Sequence, residues 1–151
     1  MPLLSQKLLQ AFQDGGPVMW PILILSLAGL TVTIERFFVF AAFFRSKEKP
    51  ADPQAAFQRL QRGLGFISTV ITAEPLLGIL GTVTGIIQTF AAFKATDVTA
   101  PLAATAGIGE ALITTAAGLI ATLLLLFPYN LLLSLLAQAA ARLERDHEAE
   151  V

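Results

Sequence analysis

Apolar residues dominate three long stretches of the chain, at 18–44, 74–93 and 107–137, and polar residues gather between them. About twenty apolar residues suffice to carry a helix across the hydrocarbon core of a bilayer. The pattern therefore predicts three transmembrane helices. Ahead of the first, Leu4, Leu8 and Phe12 stand four apart with Leu9 beside them, while Gln6, Lys7, Gln10 and Gln13 fall elsewhere. That spacing predicts an amphipathic helix over residues 1–14, lying on the membrane surface. Asp14-Gly15-Gly16-Pro17 breaks it, and Trp20 suits an interfacial anchor at the start of the first span.

Charge then orients the spans. Arg45, Lys47, Lys49, Arg59 and Arg62 face only Glu48 and Asp52 in residues 45–73, whereas Lys94 is balanced by Asp97 in residues 94–106. The positive-inside rule makes the first loop cytoplasmic. The N-terminus and the second loop are then outside, and the tail at 138–151 is inside. Within the first loop, Phe57, Leu60, Leu64, Ile67 and Ile71 recur at helical spacing, which predicts a short cytoplasmic helix leading into the second span. Glu74-Pro75 is expected at the cytoplasmic entrance of that span, where the proline can kink the incoming helix or begin a new one, and Pro128 can kink the third span. Glu35 and Arg36 fall toward the far end of the first span, where Arg36 can snorkel to the headgroups. An interfacial anchor and a functional role both remain open for this pair.

Composition narrows the function classes. With 55% hydrophobic and 14% charged residues, the 151-residue chain reads as a single membrane domain with little left for a soluble catalytic domain. The absence of cysteine removes disulfides, thiolate metal sites and thiol nucleophiles. No basic patch suggests nucleic acid, and His147 stands alone in the acidic tail. No metal cluster, cofactor motif or nucleophile with a base partner can be assembled, so no enzyme is expected. The first residues carry only Lys7 and no small-residue cleavage site, so the first apolar stretch is expected to stay in the mature protein.

The candidate chemistry lies in the second and third spans. Gly78, Gly81, Thr82, Gly85 and Thr89 fall along one helical face. Small residues on such a face let membrane helices approach closely, and Gly118 extends the theme to the third span. The threonine hydroxyls can bond their own backbone or hold water along a conduction path. Glu110 is the sharpest signal, because a carboxylate at or just inside the outer end of a span needs a solvated or paired environment. It can pass protons from a bundle interior, or it can simply interact with the positive end of a helix dipole. Thr114 lies one turn below it, whereas Thr115 is rotated about 140° away.

These residues resemble the MotA/TolQ/ExbB proton channel family, and its ExbB/TolQ branch in particular. The resemblance rests on GGPVMWPILILSLAGLTVTIERF at 15–37, EPLLGILGTVTGIIQTF at 74–90, and GIGEALITTAAGLIAT at 107–122 followed by Tyr129-Asn130. It implies a homopentameric ring in a bacterial inner membrane, enclosing the helices of a single-span partner similar to ExbD or TolR. It further implies a proton-driven motor that energises a TonB-like or TolA-like transducer, with Glu110, Thr82 and Thr115 lining the path. Glu74 departs from the family pattern, which has a small residue there, and Pro128 comes one turn late. Residues 45–73 also form a far shorter loop than in typical members. A structural scaffold without conduction leaves Glu110 and the threonines unexplained, and a flagellar-stator-like subunit lacks room in so short a loop.

Overall fold

The computed structural model describes residues 15–46, 50, 52–94 and 100–148. The surface helix expected at 1–14, the centre of the outer loop at 95–99 and the last residues, 149–151, lie outside the described residues, as does the side chain of His147. Among the described residues four helices follow in order: α1 (Met19–Arg45), α2 (Pro53–Gln61), α3 (Leu64–Lys94) and α4 (Ala100–Glu148). Three stretches, Met19–Arg45, Pro53–Ala91 and Gly107–Arg145, are long and apolar enough to cross a membrane. The protein is all-α.

Each long helix is apolar on all sides, as a helix bathed in lipid and packed against neighbours must be. The short α2 is different. Asp52 caps it, its Oδ1 accepting from the backbone N–H groups of Gln54 (2.9 Å) and Ala55 (3.1 Å), and Pro53 occupies the first turn, where its missing N–H costs nothing. Gly63, at φ +84°, then turns the chain sharply into α3. The single helix expected through Phe57 and Ile71 is thus two.

Helix bounds differ from the expected spans at two further points. α3 begins at Leu64 and carries Pro75 inside it, so the proline lies within the incoming helix and does not begin a new one. The missing hydrogen bond is outweighed by burial: Ile67 and Val70 on the preceding turns are at most 1% exposed. α4 begins at Ala100, within the expected outer loop, and is 49 residues long, about 74 Å at the usual helical rise.

α3 and α4 form the most extensive pair, and α1 lies against both. Gly78 faces Thr115, Gly81 faces Thr114 and Gly85 faces Ala111, so α3 and α4 run antiparallel. Gly29 of α1 meets both Val70 and Leu125. At one end, Phe40, Leu60, Leu64, Ile67, Leu132 and Ala139 make a buried cluster that joins all four helices.

Arg36 does not reach outward as the snorkelling expectation has it. It is 7% exposed and donates to the carbonyl oxygens of Arg59 (3.1 Å) and Arg62 (2.8 Å), while also pairing with Glu35. These are carbonyls at the C-terminal end of α2, where unpaired oxygens and the helix dipole favour a cation. Trp20 is 60% exposed at the opposite end of α1.

Candidate polar site between α1, α3 and α4

Along the α3–α4 seam the two helices approach so closely that the glycine positions leave little or no room for a side chain of their own. A Cβ on Gly118 would stand 2.6 Å from the Glu74 carbonyl oxygen, and one on Gly85 would stand 2.7 Å from the Gly107 carbonyl oxygen. Gly81 is confined by the side chain of Thr114, and Gly78 less tightly, by the Thr115 Cα at 3.2 Å. The glycine face on α3 therefore joins two helices of the same chain.

This tight seam decides where the threonines point. Thr89 and Thr114, placed by sequence on a polar path, are instead buried at 6% and 1% exposure. Thr89 donates to the Gly85 carbonyl at 2.9 Å. The Thr114 hydroxyl lies 2.7 Å from the carbonyl oxygens of both Glu110 and Gly15, tying α4 to the turn that precedes α1. Thr115 is half-buried and donates across the seam to the Gly78 carbonyl at 2.8 Å, so its rotation away from Glu110 is the rotation that brings it to α3. Thr82 is half-buried and bonds the Ile79 carbonyl at 2.6 Å.

Glu110 sits on α4 at the end where α1 begins. Its carboxyl rests on Gly16, at φ +68° in the turn before α1, in the space where a side chain on that residue would have to go. The group is half-buried. It touches the chain at Gly16 and keeps part of its surface exposed.

A second acidic group, which sequence reasoning placed at a helix entrance, lies deeper. Glu74 has no exposed surface, and its Oε1 is 2.7 Å from the Ser26 hydroxyl of α1. The signal was a carboxylate inside an apolar run, but Pro75 beside it also allows a helix start there.

Residues 50–145 match the MotA/TolQ/ExbB proton channel family. The chain belongs to that family. A putative biopolymer transport protein, ExbB-like 1, from Synechocystis sp. is 30% identical, the match covering 89% of this chain and 74% of the relative. A Tol-Pal system protein TolQ from Pseudomonas aeruginosa is 36% identical over 60% of this chain and 46% of its own length. A biopolymer transport protein ExbB from Salmonella typhimurium is 37% identical over 46% of this chain and 29% of its own length. The chain thus spans three quarters of one relative and under half of the other two. With relatives in the ExbB/TolQ branch and three helices of membrane-crossing length, it is a multi-pass membrane protein.

Proposed function

We propose that this chain is the channel-forming subunit of a proton-driven inner-membrane motor of the ExbB/TolQ type. Five copies form a ring around the helices of an ExbD/TolR-like single-span protein, with the N-terminus outside and the C-terminus inside. Proton flow through that ring energises a TonB-like or TolA-like transducer. Glu110, Thr82 and Thr115 contribute polar groups to the path, and the buried Thr89 and Thr114 hold the helices that carry them.

The observation that carries this reading is the half-buried carboxyl of Glu110 in a chain of a proton channel family. A partly exposed carboxyl can exchange a proton with water or with a partner group, while its protein side fixes where that exchange occurs. The test is Glu110→Gln, expressed with its single-span partner. Activity driven by the proton gradient should fall to the level of cells lacking the protein, while the mass of the purified ring stays unchanged. Full activity in Glu110→Gln would favour a scaffold and sink the proton role.

A further inference from the structure

We propose that Glu74 is a second proton-binding group, held as the neutral carboxylic acid within the seam of α1, α3 and α4. It is distinct from Glu110. Gly118 packs against the Glu74 main chain and lies eight residues along α4 from Glu110, about 12 Å by helical rise.

The surroundings give an ionised Glu74 almost nothing. The residue is 0% exposed, and assembly with other chains can only enclose it further. Among the described residues its Oε2 has no hydrogen-bond partner. On α1 the nearest charged groups, Glu35 and Arg36, are nine and ten residues beyond Ser26, about 14–15 Å along the helix. Arg36 is moreover engaged with α2 and Glu35. On α4 the acid nearest along the helix is Glu110 at the end beside Gly16, and Tyr129 lies eleven residues past Gly118 in the other direction. On α3 itself the nearest described basic side chain precedes the helix, at Arg62. A buried carboxylate with one donor and no described cation beside it is costly, because the ion loses its hydration without a compensating charge. A neutral acid avoids that cost.

The hydrogen-bond geometry fits the neutral form. Ser26 Oγ stands 2.8 Å from the Ile22 carbonyl oxygen and 2.7 Å from Glu74 Oε1, yet a serine hydroxyl carries one proton. If Ser26 donates to Ile22, its lone pairs face Glu74, and a proton on Oε1 completes the second contact. Both short distances are then hydrogen bonds, and only a carbonyl-type oxygen remains unpaired. Since the carboxyl has no exposed surface, it exchanges this proton only when α1, α3 and α4 separate around it.

Infrared difference spectroscopy of the purified full-length protein, wild type minus Glu74→Gln, tests the assignment at neutral pH. The expected result is loss of one protonated-acid carbonyl band per chain, with no carboxylate bands lost. Ser26→Ala should shift that band to higher frequency, because the acid loses its acceptor; this second readout needs no substitution at Glu74. Glu110→Gln should leave the band in place, so the result is separate from the role of Glu110. Loss of carboxylate bands in the Glu74→Gln difference, or a band unmoved by Ser26→Ala, would overturn the proposal.

Discussion

At Thr115 a hydroxyl serves two purposes that substitution can separate. It donates to the Gly78 carbonyl across the α3–α4 seam at 2.8 Å, and its lone pairs remain free to accept from water or a partner group. Thr115→Val keeps the shape and removes both functions. If the bond is only structural, the loss is about 1 kcal/mol or less, and activity at moderate temperature persists. The proposed path predicts more: proton-driven activity should drop strongly in Thr115→Val with the ring still assembled, and Thr115→Ser should restore part of it. Thr82→Val removes a bond that closes within α3, to Ile79, and should weaken activity without lowering the unfolding temperature measurably. Normal activity in both valine variants would reduce the threonines to packing residues. By spacing Thr115 reads as a residue off the Glu110 stripe and only the family resemblance puts it on the path, because the reason for its orientation lies on another helix. Thr114 and Thr115, adjacent in sequence, turn to different neighbours: one to Gly15 ahead of α1, the other to Gly78 on α3.

The elements themselves are readable where a long apolar run meets a clear break, as at Gly15–Pro17 ahead of α1. Tertiary packing decides where a local signal leaves alternatives open. Pro75 is compatible with an incoming helix or a new one, and Ile67, Val70 and Glu74 bury the turns before it against α1 and α4, so the helix continues through. Arg62-Gly63 shows the converse, a break inside a run of helical spacing, since a left-handed glycine ends the short α2. The α3–α4 pair depends on contact between backbones, which two glycine substitutions can test. At Gly118 an added methyl would meet the Glu74 carbonyl oxygen at 2.6 Å and the Gly78 Cα at 3.2 Å, groups that cannot rotate away. Gly118→Ala should therefore destabilise the protein by about 1–3 kcal/mol, the usual range for overpacking. Gly65, on the same helix as Gly78, has nothing within 4 Å of the added atom. Gly65→Ala should be neutral or stabilising by up to about 1 kcal/mol through helix propensity. Unfolding of both variants in one detergent, followed by circular dichroism, checks the contrast, and equal stabilities would mean that α3 and α4 are not so closely apposed.

The whole molecule presents large apolar side chains on every long helix: Ile24 and Phe38 on α1, Ile87 and Phe90 on α3, Leu112 and Leu124 on α4, each more than 60% exposed. Lipid can cover such surfaces, and so can further copies of the chain. The small-residue face that the sequence marks for close helix packing is consumed within one chain, between α3 and α4. Contacts between copies in the proposed ring must then form through bulkier side chains on the outward faces of these helices. Because the chain has no cysteine, introduced cysteines report on such contacts alone. A thiol-reactive crosslinker applied to membranes should join copies that carry cysteine at both Ile87 and Leu112, giving a ladder that ends at five chains. Cysteines at Ile24 and Phe38 should crosslink poorly, since the proposed ring turns α1 to the lipid. A ladder that stops at two, or efficient linking through α1 alone, would exclude the pentamer with α3 and α4 inside. Native mass measurement on the uncrosslinked protein supplies the independent count, and a mass of one chain would remove the ring on which the proposed proton path depends.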